Sequence, residues 1–357
     1  MQVARKQPAV PPEPSAPGPI NARARSLRSA EPFELESGSI LPELEIAYTL
    51  HGQLNAAHDN VVWVCHALTA NSDPCAWWPT LVGPGQLLDP SRYFVVCANI
   101  LGSCYGTTGP NSESPLDGQR YGRAFPLITV RDMVRAHERL RRHLGIERIF
   151  LGIGGSLGGQ QLLEWAVTEP ALFQRLCLVA TNVRHSAWGI AFNEAQRMAL
   201  RADPTFSLNV PGAGRAGLMA ARATAMLSYR NRIAYGSTQT DTEDKLEHFR
   251  ASSYQAHQGL KLADRFCAQS YAALTQAMDS HNLARGRGAF QEVLANVRAK
   301  TLVIGILSDI LFPWQEQKEI ADHIVDARLR LIDSIYGHDG FLVEGRVIAE
   351  QLAALLD

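Results

Sequence analysis

Short runs of consecutive apolar residues punctuate most of the chain: VVWVC at 61–65, YFVVCA at 93–98, RIFLGI at 148–153, LCLVA at 176–180, TLVIGI at 301–306 and LRLID at 329–333. A strand with one wet face alternates apolar and polar side chains, so unbroken runs are expected where both faces are covered. Between them, residues 129–144 and 159–167 carry apolar side chains at helical spacing. Thr129 and Asp132 suit an N-terminal capping pair for the first of these helices. Strand–helix alternation of this kind predicts an α/β fold: a mostly parallel sheet with right-handed crossovers and flanking helices. Ordered structure is expected to begin near Phe33, where FELESGSILPELEIAYTLHG reads as a strand, a turn at Ser37–Gly38 and a second strand.

The alternation breaks between 184 and 297, a region rich in Ala, Arg, Gln, Met and Tyr that reads as several helices. Because the strand pattern resumes at 301, this region is expected to be a helical lid inserted into the sheet domain. The predicted organisation is a disordered Pro-rich tail over 1–30, a core in two parts at 31–183 and 298–357, and the lid at 184–297. A chain of 357 residues with 46% hydrophobic content is long enough for one large domain with an insertion. The tail, opening MQVARKQPAVPPEPSAPGPI, cannot bury enough surface to offset its ordering entropy and lacks the apolar core of a secretory signal.

Thirty-four basic residues against 35 acidic ones leave a formal net charge of -1. That balance gives no broad electrostatic reason for a nucleic-acid or anionic-membrane partner. No stretch reaches the roughly 20 apolar residues needed to span a bilayer. The six cysteines form no CxxC pair and no Cys/His cluster with metal-ligand spacing, so no metal is expected. Reduced thiols and a cytoplasmic location are the expectation.

The most informative motif is Gly154-Gly155-Ser156-Leu157-Gly158, directly after the run RIFLGI and directly before the helical QQLLEWA. G-x-S-x-G at a strand–turn–helix junction is the setting of a nucleophile elbow. The serine sits on a strained turn, and glycines without Cβ let strand and helix approach closely. In this fold the triad follows in the order Ser, Asp or Glu, His. Asp309 lies just past TLVIGI, and His338 in a glycine-flanked loop past LRLID. Both therefore belong to loops at strand carboxyl ends, where open α/β sheets build their sites. Ser156 is a weak nucleophile until His338 takes its proton, and Asp309 would fix the imidazole tautomer. Asp333 is a rival to Asp309, and His323 reads as a surface helix residue. Oxyanion donors are expected at the backbone N–H of Leu157 and, in the loop after VVWVC, of Leu68. His66 in that loop reads as a packing histidine.

The segments VCHALTANSDPCAWWPTLVGPG, FVVCANILGSCYGTTGPNS, FPLITVRDMVRAHERLRRHLGI, GGSLGGQQLLEWA, ARATAMLSYR, KTLVIGILSDILFP and YGHDGFLVE resemble the homoserine O-acetyltransferase family of the α/β-hydrolase superfamily. The resemblance runs from about Phe33 to the C-terminus. It implies a ping-pong reaction in which acetyl-CoA acylates Ser156, CoA leaves, and the hydroxyl of L-homoserine attacks the acyl-enzyme with His338 as base. It further implies that Arg222 binds the substrate carboxylate, for which a planar guanidinium is suited. Asp339 would bind the ammonium, and Tyr229 would line the pocket. Acetyl-CoA is then a co-substrate, no cofactor stays bound, and a homodimer forms through the lid helices. One departure is Leu157, where many members carry methionine.

Alternative readings share the triad: a succinyl-CoA transferase, a serine O-acyltransferase, an esterase, or an inactive binding protein. A transferase must exclude water from the acyl-enzyme. Arg222 with Asp339 would give a zwitterion two fixed charges that a general esterase does not need.

Overall fold

The computed structural model describes residues 24–356. Its strands are β1 (Arg25–Ser29), β2 (Phe33–Glu34), β3 (Ile40–Leu41), β4 (Leu44–His51), β5 (Val61–Cys65), β6 (Phe94–Ala98), β7 (Ile149–Gly155), β8 (Phe173–Val179), β9 (Lys300–Ile306) and β10 (Ala327–Ile332). Eight of these form one sheet in the order β1-β4-β6-β5-β7-β8-β9-β10, while β2 and β3 make a small hairpin. From β6 across to β10 all pairings are parallel, and β4 and β1 run antiparallel at one edge. Side chains of β5 divide by parity: Val61, Trp63 and Cys65 join one buried cluster, Val62 and Val64 the other. Covering both faces in this way is what keeps the central runs apolar at every position.

The helices are α1 (Pro74–Trp77), α2 (Val130–His143), α3 (Leu157–Thr168), α4 (Ala187–Ala202), α5 (Arg215–Tyr229), α6 (Arg232–Thr238), α7 (Arg250–Ala263), α8 (Ala268–Asp279), α9 (Phe290–Ala295), α10 (Trp314–His323), α11 (Gly340–Val343) and α12 (Gly345–Leu356). Thr129 and Asp132 do form a capping box at the start of α2. Its side chains satisfy two backbone N–H groups that the first turn leaves without helical partners.

Three expectations need correction. The predicted tail over 1–30 lies partly outside the described residues, but Arg25–Ser29 pair with β4 as an edge strand, so ordered structure starts before Phe33. The run at 329–333 is not covered on both faces: β10 is the other edge, and Arg328 and Arg330 point to solvent. Finally, the lid closes earlier than 297. It departs and returns through a paired stem, with His185 N–H donating to His281 O (3.0 Å) and Leu283 N–H to Val183 O (2.9 Å). Helices α4–α8 lie inside that stem, whereas α9 lies beyond it and packs on α10 of the core.

Candidate active site

In the sheet, β5 and β7 are neighbours, yet the chain leaves β5 for β6 on one side and continues from β7 to β8 on the other. That reversal makes a crevice at their carboxyl ends, where open α/β sheets place ligands. Ser156 caps β7 there and starts α3. Its backbone has φ +57° and ψ −125°, a conformation costing about 1–3 kcal/mol for a non-glycine residue. The surroundings offset that cost. Ser156 N–H donates to Val179 O (2.9 Å), and the Thr181 hydroxyl (2.9 Å) and Gly159 N–H (3.0 Å) donate to Ser156 O. At about 0.5–1.5 kcal/mol net each, three such bonds are enough to hold the turn. The turn also needs bare backbone, since a Cβ on Gly158 would lie 2.1 Å from Cys65 O.

Asp309 stands in the loop between β9 and α10 and is buried. Its Oδ1 accepts N–H bonds from Leu311 (2.8 Å) and Phe312 (2.9 Å), while Oδ2 meets His338 Nδ1 at 2.7 Å. Two backbone bonds on one oxygen leave the other aimed at the imidazole. That ring stacks on Phe312 (centroids 4.9 Å apart) and contacts Phe341 (5.3 Å) and Tyr229 (5.9 Å), so it has little freedom to turn. Gly337 precedes it at φ +64°, packed so closely on the lid that a Cβ would sit 3.0 Å from Asn231 N. The rival Asp333 is exposed, and His323 bonds Glu319 O within α10, away from the crevice.

Ser156 and His338 open on one pocket, together with Leu68, Arg222, Tyr229 and Asp339. Leu157 is the first residue of α3, so its N–H has no acceptor inside that helix. The loop bearing Leu68 is tightly braced. His66 is fully buried, its Nδ1 bonds Ala67 O (2.8 Å), and its Nε2 accepts Ile100 N–H (3.1 Å). Burial holds its pKa down at about 4, so the ring is neutral, and the two partners fix the Nδ1–H tautomer. This histidine braces the loop, as the packing reading expects.

The lid supplies the remaining wall. Arg222 is half-buried, with its guanidinium carbon 5.1 Å from the Tyr229 ring centroid. Asp339 is paired with Arg230, Nε to Oδ2 at 2.9 Å. Sequence reading gave Arg230 no role, because nothing local links position 230 to 339. It also missed Arg265, which reaches from the α7–α8 junction to donate to Thr69 O (2.5 Å) and the Tyr105 hydroxyl (2.7 Å). Arg222, Arg230, Lys261 and Arg265 line the pocket, and among the described residues that line it Asp339 supplies the carboxylate. Such a lining favours an anionic guest.

A family model described as alpha/beta hydrolase fold matches residues 60–345. A homoserine O-acetyltransferase of Cyclobacterium marinum is 50% identical over 314 residues, covering 88% of this chain and 90% of that one. Among solved structures, homoserine O-acetyltransferase from Bacillus anthracis superposes with TM-score 0.86 at 24% identity, over 94% of this chain and 98% of that one. Esterase E22 superposes with TM-score 0.85 at 22% identity, over 94% and 99%. Backbone likeness therefore extends equally to a transferase and an esterase, and gives the fold alone.

Proposed function

The chain belongs to the homoserine O-acetyltransferase family of α/β-hydrolase fold, and from that membership we propose that it carries acetyl from acetyl-CoA to the hydroxyl of L-homoserine through an acyl-serine at Ser156. His338 takes the Ser156 proton as the serine oxygen attacks the thioester carbonyl. The N–H groups of Leu68 and Leu157 stabilise the oxyanion, and His338 returns the proton to the departing CoA sulfur. The homoserine hydroxyl then gives its proton to His338 and attacks the acyl carbonyl, and Ser156 recovers a proton as O-acetylhomoserine leaves. Asp309 holds the imidazole in the Nδ1–H tautomer and stabilises its charged form.

The observation that carries this reading is a pocket that opens on Ser156, His338, Arg222 and Asp339 together. Arg222 suits the substrate carboxylate. Asp339 has one oxygen held by Arg230 and would offer the other to the ammonium, with Tyr229 as a wall. The cationic lining suits the phosphates of acetyl-CoA, a co-substrate that leaves each cycle, so no cofactor need stay bound. Trp188, Met198, Leu227 and Ile233 are exposed on lid helices, which supports a homodimer through the lid. Free cysteines fit a cytoplasmic enzyme, and among the described residues no helix is long and apolar enough to cross a membrane.

The test is thiol release from acetyl-CoA and succinyl-CoA, each with homoserine, with serine and alone. Sustained release only with acetyl-CoA plus homoserine is expected. Steady release without an acceptor would mark a hydrolase, and preference for succinyl-CoA or serine would overturn the substrate assignment.

A further inference from the structure

Outside the residues that line the acyl-transfer pocket, three side chains from two separate stretches of the sequence converge. His51 ends β4, Asp73 precedes α1, and Cys75 lies within α1. One donor atom from each lies within 4.8 Å of the others. His51 is only 8% exposed, and its Nε2 is buried without an aligned hydrogen bond although Asp73 Oδ1 is 3.3 Å away. We propose that His51, Asp73 and Cys75 form a binding site for a zinc-class divalent cation, outside the acyl-transfer pocket.

The donor set carries the choice of ion. An imidazole, a carboxylate and a thiolate together suit a borderline ion of the zinc type, whereas magnesium and calcium take oxygen ligands. Bonds of about 2.0–2.3 Å place tetrahedral donors roughly 3.3–3.8 Å apart, so small side-chain rotations close this cluster on an ion. The fourth position would be left to water. Any proton carried by the imidazole nitrogen or the thiol sulfur leaves to solvent as the metal bond to that atom forms. An occupied site would tie the end of β4 to the stretch between Leu68 and Trp77, both of which line the acyl-transfer pocket.

The test titrates Co²⁺ into the chelator-stripped full chain. The expected result is one equivalent bound, with a thiolate-to-cobalt absorption band that Zn²⁺ abolishes. Cys75→Ser should lose the band, His51→Gln should weaken binding at least about tenfold, and Cys267→Ser should keep both. Circular dichroism checks that each variant is folded, and Cys75→Ser alone decides if His51→Gln is not. No band in the parent chain, or a band that survives Cys75→Ser, overturns the site.

Discussion

At the scale of single residues, the site depends on groups whose alternatives are blocked. Asp309 is fixed by two backbone bonds on one oxygen and by His338 on the other. Asp309→Asn preserves the shape but favours the wrong imidazole tautomer, so kcat should fall about 10⁴-fold with folding unchanged. Steady-state rates with a thermal melt check this, and a loss below about tenfold would remove Asp309 from the triad. Gly158→Ala drives a methyl into Cys65 O, a main-chain atom that cannot swing aside. It should cost about 1–3 kcal/mol in denaturant unfolding, or more if the elbow cannot relax. Arg222→Ala should raise the KM for homoserine about ten- to a hundredfold, the worth of a charged hydrogen bond of about 1.5–3 kcal/mol. An unchanged KM would return Arg222 to a packing role beside Tyr229.

At the scale of elements, legibility in the sequence followed burial. The strands β5 to β9 lie inside the sheet, and their continuous apolar runs marked them to within a few residues. Edge strands were harder. RSLRS at 25–29 is polar enough to read as tail because water covers most of it, and LRLID concealed an edge strand with outward arginines. The end of the helical insertion is not legible, because α9 has the same pattern as the helices before it and only the stem pairing at 183–185 and 281–283 sets it apart from them. Of the proposed site, Ser156, Asp309 and His338 are readable as candidates because each follows a readable strand. Arg230, Arg265 and the approach of His51 to Asp73 and Cys75 are not, since each joins separate stretches of the sequence. The α2 cap was legible because Thr129 and Asp132 are local. Thr129→Ala should cost about 1 kcal/mol by chemical denaturation, and no loss would mean the Asp132 bonds alone hold that end.

At the scale of the whole molecule, buried histidines couple stability to pH. Burial holds His66, His137 and His185 down at about 4 and His281 at about 3, against an unfolded value near 6.5. The unfolded chain therefore binds more protons between those limits, so their contribution is full above pH 6.5 and declines as pH falls toward 4. Glu316 opposes them: burial raises it to about 7, so it favours the fold at the acid end of the same window. Burial also raises Asp279, but four lowered histidines outweigh these two carboxyls, so the Tm should fall from pH 6.5 to 4. A flat profile would mean these rings are hydrated.

All of this chemistry requires that acetyl pass through one hydroxyl on one strained turn. The direct measurement is mass spectrometry of the intact chain and its peptides after brief exposure to acetyl-CoA without homoserine. A single acetyl group should appear on the peptide containing Ser156, vanish when homoserine is added, and be absent from Ser156→Ala. An adduct that persists in Ser156→Ala, or homoserine acetylation by that variant at the parent rate, would contradict it.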